Sequence, residues 1–342
     1  MKHDRSLAAL AFVIVCIVWG TTYLGIRIAV ETIPPLLLTG IRYTIAGMVM
    51  LPLLLLRGER IPRDRRTLGN IAIVALLLIA GGNLALVWAE QWVPSGLASL
   101  LVAVGPFWAT SIEALRRDGE RISLRQAVGM AIGFGGVAML VTPHGAGGAF
   151  DSRFIAGALI ILAGAIAWQG GSVHAKHALK DKVSPLLSAA LQSLFAGVVL
   201  TVTGLAAGEA PRFHPSTRSL IALAYLTLFG SIIAYSAYTY ALSKIRVSTM
   251  SLYAYINPVV AVLLGWLVLK ETLTPASIAA MAIILAGVAV VQTSPRGSAA
   301  VVQSRTRTHP LTTRGDCSGT PRSSTFSASA ANVSARRLTG TV

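Results

Sequence analysis

The chain has 342 residues, of which 54% are hydrophobic and only 12% charged, and its mean hydropathy is +0.69. Soluble globular domains carry about 25% charged residues, so the composition excludes that class and points to a lipid solvent. The formal net charge of +16 would suggest nucleic acid in a soluble protein, but no soluble domain presents a basic patch interleaved with aromatics, and no nucleic-acid partner is expected.

Crossing a bilayer takes about 20 predominantly apolar residues. Ten such runs are present: 7–28, 34–56, 69–89, 95–115, 125–142, 154–175, 184–206, 218–241, 247–268 and 275–292. The fold class that follows is an all-α integral membrane protein with ten transmembrane helices. The first run is too long and too polar at its Thr21-Thr22-Tyr23 end for a secretory signal, and no small-residue cleavage site follows it. It is read as a retained helix.

Trp19, Tyr23 and Arg27 stand four residues apart and share one face of this helix. The second run opens on Pro34-Pro35, a fitting helix start, and carries Arg42 about two turns in. A charge at that depth is costly and normally faces a cavity or a partner. The third run holds Asn83 and ends near Glu90, seven residues on and therefore on the same helical face. Arg42 and Glu90 admit two readings. One is an ion pair locking helices 2 and 3; the other is an outward gate in which substrate or a proton competes for one partner. A carboxylate among apolar helices can hold its proton more tightly and so exchange it.

Pro106, in the fourth run, and Pro258, in the ninth, are expected as structural hinges. The fifth run contains Gly129-x-x-x-Gly133 and Gly135-Gly136, which mark a closely packed helix. Trp168 and Ser172 in the sixth run repeat the Trp19/Tyr23 spacing. Gln192 stands in the seventh where Arg42 stood in the second. Tyr235 and Tyr238 fall on one side of the eighth, and Tyr253 and Asn257 are four apart in the ninth. Each aromatic or amide can serve a neighbouring helix or line a cavity. Trp88, Trp92 and Trp266 lie near run ends and fit an interfacial belt.

The chain repeats itself, a feature to be sought before others. Trp19 aligns with Trp168, Pro35-Leu36-Leu37 with Pro185-Leu186-Leu187, Ala46-Gly47 with Ala196-Gly197, Ser99 with Ser251, Pro106 with Pro258, and Glu120 with Glu271. The expected units are 7–142 and 154–292, after a 1–6 amino terminus and around a 143–153 linker, with a basic tail of disordered character over 293–342. Five helices per unit make the second copy enter the membrane inverted. Alternate loops hold sixteen Lys and Arg on one side and four on the other. The positive-inside rule therefore makes both termini cytoplasmic and the linker periplasmic. Inverted repeats are a signature of secondary transporters, with the substrate site near the midplane.

Together these stretches (WGTTYLGIRIAVETIPPLLLTGIRY, GGNLALVWAEQWVPSGLASLLVAVGP, AWQGGSV, LFGSIIAYSAYTYAL and SLYAYINPVVAVLLGWLVLKETLT) resemble the drug/metabolite transporter superfamily in its ten-helix EamA form. The resemblance covers residues 7–292. It implies two inverted five-helix bundles in an inner membrane and export of small metabolites, amino acids or xenobiotics. It also implies a central cavity lined from helices 1, 3, 4, 6, 8 and 9, which in this chain singles out Trp19, Asn83, Trp108, Trp168, Tyr235, Tyr253 and Asn257, with Tyr23 beside them.

An enzyme is not expected. All six aspartates fall in loops or tails, and neither a His-Glu-x-x-His motif nor a Walker A motif occurs. Cys16 and Cys317 make no disulfide framework or metal motif, so no catalytic residue, cofactor or metal is expected. The expected partners are a small-molecule substrate, the lipid bilayer and protons as candidate coupling ion, with the protein a monomer or weak dimer. An uncoupled facilitator or exchanger, and a non-transporting scaffold or receptor, stand as alternatives.

Overall fold

The computed structural model describes residues 2–115, 122–141, 152–271 and 274–293, in which every regular element is helical and none is a strand. The expected linker, apart from residues 152 and 153, and the expected tail after residue 293 lie outside the described residues, as does Glu120. The helices are α1 (Lys2–Ala29), α2 (Pro35–Leu56), α3 (Arg65–Ala75), α4 (Leu84–Ala89), α5 (Ser95–Val102), α6 (Gly105–Ala114) and α7 (Leu124–Val141). Then come α8 (Ser152–Ala178), α9 (Pro185–Ala206), α10 (Thr217–Tyr225), α11 (Tyr235–Lys244), α12 (Val247–Met250), α13 (Tyr253–Leu269) and α14 (Pro275–Gln292). Eight helical runs are long and apolar enough to cross a membrane: Ser6–Ala29, Pro35–Leu56, Arg65–Ala89, Ser95–Ala114, Ser152–Ala178, Pro185–Ala206, Thr217–Lys244 and Val247–Leu269. The remaining two apolar helices, α7 and α14, have 18 residues each. At 1.5 Å per residue that is about 27 Å, slightly under the hydrocarbon thickness.

The ends of these helices follow from local chemistry. Asp64 accepts the Thr67 amide at 2.7 Å, Ser184 accepts that of Leu187 at 3.2 Å, and Thr274 accepts that of Ser277 at 3.1 Å. Each satisfies a donor that the first turn leaves free. Gly58 and Gly208 close α2 and α9 in the left-handed region, at φ +89° and +74°. In both turns the amide after the glycine reaches back to a carbonyl of the helix, Glu59 to Leu54 and Glu209 to Gly204, each at 3.0 Å.

Two departures from a 3.6-residue period matter for the site. Leu76–Asn83 and Leu226–Ala234 are π-helical, inserted between α3 and α4 and between α10 and α11. They occupy matching places in the two halves. A π turn adds a residue per turn, so counting by 3.6 no longer relates residues on either side of it. Asn83 ends the first π segment and Glu90 follows α4, so the seven-residue spacing between them runs through α-helix. Elsewhere the chain breaks. The α5/α6 break falls at Ala103-Val104, and Pro106 sits in the first turn of α6 rather than inside a continuous helix. Pro258 lies within α13, one turn beyond the break between α12 and α13, and costs that helix a backbone bond.

Packing pairs helices across the halves. α2 lies along α9 and α7 along α14, while α1 contacts α13 and α11. Glycines permit the closest approaches. A Cβ on Gly47 would come within 2.6 Å of the Leu194 backbone, and one on Gly136 within 2.9 Å of the Ile284 amide. Gly129 and Gly133 face α14, Gly129 against the Gly287 carbonyl and Gly133 with its amide against Gly287, whereas Gly135 faces open space. The small-residue seam is therefore Gly129, Gly133 and Gly136.

Candidate functional site

The central feature is a cluster of aromatic side chains converging from both halves. Trp19 meets Trp168 edge to face at 5.3 Å between ring centroids, Tyr253 edge to face at 5.1 Å, and Tyr238 at 4.9 Å. Such offset and edge contacts suit the ring quadrupoles. The polar ends are also matched. Trp168 Nε1 donates to the Tyr238 hydroxyl at 3.0 Å, that hydroxyl and Ser172 Oγ are 2.6 Å apart, and Ser172 Oγ donates to the Trp168 carbonyl at 2.7 Å. Trp19 Nε1 reaches the Gly230 carbonyl, in the second π segment, at 3.3 Å.

Against this cluster lies a cavity of about 60 Å³. From α1 it is lined by Trp19, Thr22 and Tyr23, from α2 by Arg42, and from the first π segment and α4 by Gly82, Asn83 and Leu86. α5 and α6 contribute Val102 and Gly105. α8 contributes Ile161, Gly164, Ala165, Trp168 and Gln169, and α13 contributes Tyr253 and Asn257. Asn257, with its amide turned to suit its neighbours, donates to the Cys16 carbonyl at 3.0 Å and the Tyr253 carbonyl at 3.2 Å. The structure thus brings together six of the eight side chains anticipated as substrate contacts: Trp19, Tyr23, Asn83, Trp168, Tyr253 and Asn257. Tyr235 stands behind the wall, its hydroxyl donating to Gln192 Oε1 at 2.5 Å and its ring 6.4 Å from Trp168. Trp108 is not in the lining; it packs edge to face on Phe134 at 5.4 Å.

Three buried polar groups in the lining lack a partner: Arg42 Nη1, Asn83 Oδ1 and Gln169 Oε1. Buried polar groups are normally hydrogen-bonded, so orphans gathered in one cavity require a reason. Gln169 was not anticipated from sequence. Its signal was its place beside Trp168 in an otherwise apolar run. Gly105 makes room for it, since a Cβ there would come within 2.8 Å of Gln169 Nε2.

The geometry of Arg42 and Glu90 differs from both sequence readings in one respect, for the two form no ion pair. Arg42 Nε donates to Ser231 Oγ at 2.6 Å and its guanidinium lies 5.0 Å from the centroid of the Tyr43 ring. Both Glu90 carboxylate oxygens are buried without a hydrogen bond, although Glu90 lies within electrostatic reach of Arg27, Glu271 and Arg42. Arg27 Nη1 donates instead to the Glu90 backbone carbonyl, at the end of α4. Lys176, at the corresponding place in α8, donates to the Leu242, Ser243 and Ile245 carbonyls at 2.8, 3.0 and 2.8 Å, at the end of α11. In each half a cation thus satisfies the free carbonyls of a neighbouring helix. No group of three or more His, Cys, Asp or Glu suited to a metal occurs among the described residues.

The EamA-like transporter family matches residues 6–142 and again 155–293. The uncharacterized inner membrane transporter YedA of Escherichia coli K12 is 40% identical over 276 residues, covering 80% of this chain and 87% of that protein. A probable terminal-alkyne amino-acid exporter of Streptantibioticus cattleyicolor is 28% identical over 289 residues, covering 84% and 93%. A solved crystal structure at 23% identity superimposes with a TM-score of 0.63 over 84% of this chain and 97% of its own, a likeness of fold. The chain belongs to the EamA-like transporter family of membrane proteins, whose members are transporters rather than enzymes.

Proposed function

We propose that this protein is a secondary transporter that exports small organic solutes (amino acids, aromatic or amphipathic metabolites, drugs) across the inner membrane by alternating access. Ten helices cross the membrane as two inverted five-helix repeats, 7–142 and 154–292, with both termini in the cytoplasm. The repeats rock against one another around the aromatic cavity. Trp19, Tyr23, Asn83, Trp168, Tyr253 and Asn257 contact the solute. Trp108 and Tyr235 join them only in another conformation, and Pro106 and Pro258 act as hinges. Arg42 and Glu90 govern the outer gate, and a proton on Glu90 couples transport to the pH gradient.

The observation that carries this reading is the cavity itself: aromatic walls with orphaned donors and acceptors, drawn from helices of both halves. Further support comes from what the halves share, namely the matched π segments, the matched capping cations and a family match to each half. At about 60 Å³ the cavity is contracted, and a solute of ordinary size requires the helices to part.

The test is counterflow uptake by purified protein in liposomes, scanned over amino acids, aromatic metabolites and cationic drugs, with and without a pH gradient. Accumulation of one class, lost on changing Trp19 or Asn257, is expected. No flux of any class from folded protein would instead favour a scaffold or receptor.

A further inference from the structure

Arg42 is the largest fully buried side chain among the described residues, 1% exposed, and it is a cation. Its environment accounts for only part of it. Nε is held by Ser231 and the guanidinium lies against Tyr43, but Nη1 has no acceptor, and the Glu90 carboxylate makes no hydrogen bond to it. A buried cation without a matched anion is costly. Guanidinium, with its planar fork of donors, is suited to a carboxylate. The aligned position in the other half carries the neutral Gln192, whose carbonyl is taken by Tyr235 and whose amide donates to Ser188 at 2.6 Å. The charge is thus confined to one half, as expected of a ligand anchor rather than of a packing element common to both.

The same cavity presents the opposite complement elsewhere. Asn83 Oδ1 and Gln169 Oε1, from helices other than that of Arg42, are acceptors without donors. Gly230 leaves space for the guanidinium, because a Cβ there would lie 2.9 Å from Arg42 Nη2.

A second cavity, of about 200 Å³, lies toward the Lys/Arg-rich loops, and its lining includes Lys180 and Lys244 with Asp181 as the opposing charge. Lys176 also lines it, with its ammonium occupied by carbonyls. The buried floor is Ser188, Gln192 and Thr239, and Tyr235 links Gln192 to Trp168 of the first cavity. A rim with this surplus of positive charge draws in anions rather than cations.

We infer that the cavity selects solutes bearing a carboxylate, bound by Arg42 Nη1, together with a nitrogen donor that faces Asn83 Oδ1 and Gln169 Oε1. This rests on the transport reading for its biological setting, and it excludes purely cationic amines from the substrates.

Three probes of similar carbon skeleton test it: L-leucine, 4-methylpentanoate and isopentylamine. Their binding to the full chain in nanodiscs is read from Trp fluorescence, since Trp19 and Trp168 line the cavity. Affinity should fall in the order given, with isopentylamine at least tenfold weaker than 4-methylpentanoate. Arg42→Gln should weaken both carboxylates at least tenfold while isopentylamine binds no more weakly, because a repulsive charge is removed. Gly230→Ala, which displaces the guanidinium while keeping its charge, should weaken the carboxylates in the same way and serves should Arg42→Gln fail to fold. Isopentylamine binding as well as the acids, unchanged carboxylate affinity in a folded variant, or no binding by any probe would overturn the inference. Binding with this order but no flux in liposomes would count against the transport reading alone.

Discussion

Replacing Gly287 by alanine should drive α7 and α14 apart. A Cβ at this position would stand 2.6 Å from the Gly129 carbonyl oxygen and 2.7 Å from the Gly133 Cα, with the Gly133 amide nitrogen nearer still. These are backbone atoms, and no rotamer change removes them. Relaxing 2.6 Å to an ordinary contact near 3.4 Å requires the helices to separate by about 0.8 Å, and a gap of that size forfeits about a quarter to a half of the dispersion attraction at the seam. Overpacking of this kind costs about 1–3 kcal/mol.

Gly135→Ala is the internal control, because nothing lies within 4 Å of its Cβ. Both variants share the helix-propensity gain of alanine over glycine, about 0.5–1 kcal/mol, so the difference between them isolates the steric term. Reversible unfolding of both proteins in mixed micelles titrated with SDS, followed by far-UV circular dichroism, should place Gly287→Ala about 1–3 kcal/mol below Gly135→Ala, a factor of about 5–150 in the unfolding equilibrium. Equal stabilities would refute the claim that the α7/α14 contact is set by backbone approach.

Glu90→Gln should abolish accumulation driven by a pH gradient while leaving solute exchange intact; full gradient-driven uptake by this variant would remove Glu90 from the coupling step. Glu271→Ala should destabilise the fold by about 2–6 kcal/mol in the same SDS titration, because its carboxylate accepts the Ser95 amide and hydroxyl at 2.9 Å each and the Gly96 amide at 3.2 Å; the hydroxyl can turn elsewhere, but the two stranded amides cost about 1–3 kcal/mol apiece. Asp64, outside the spanning segments, is held below its usual carboxylate range by the Thr67 amide, with the Thr67 hydroxyl adding to it. A depressed folded-state value stabilises above the unfolded value and is lost as pH falls through the folded one. The protection factor of the Thr67 amide, with intrinsic exchange divided out, should therefore fall in acid below the ordinary carboxylate range and stay flat above it, while Asp64→Asn should show no such step.

Helix placement was legible because lipid demands long apolar runs and because prolines and small polar caps mark their starts, as at Pro35 and Ser184. The duplication was legible too, and it put Trp19 and Trp168 forward as equivalents before their rings were found in contact. Less legible were features that depend on the other half of the chain. The π segments LLLIAGGN and LTLFGSIIA read as ordinary helix, and their effect on register emerges only from the backbone. By sequence Arg42 pairs with Glu90 because both are charges carried by apolar runs, whereas the fold supplies Ser231, about 190 residues away. Glu209 likewise reads as a loop carboxylate, yet it is buried and accepts the Leu36 and Leu37 amides at 3.4 and 2.9 Å, at the start of α2. Trp108 lies outside the lining in this conformation, in a helix that starts after the break preceding Pro106, with its ring against Phe134.

The glycine seam has a temporal consequence. Gly129 and Gly133 are made about 150 residues before Gly287, and at 5–20 residues per second the ribosome needs about 8–30 s to supply the missing helix. In the proposed ten-helix arrangement, α7 waits in the bilayer during that interval with its glycine face against lipid tails, which cannot match the backbone contacts that Gly287 later makes. The same holds for α2, whose Gly40 and Gly47 await Thr201 and Leu194 of α9. A ribosome stalled between the halves would thus leave an inserted but unpaired bundle, open to pairing with another copy or to recognition by membrane proteases.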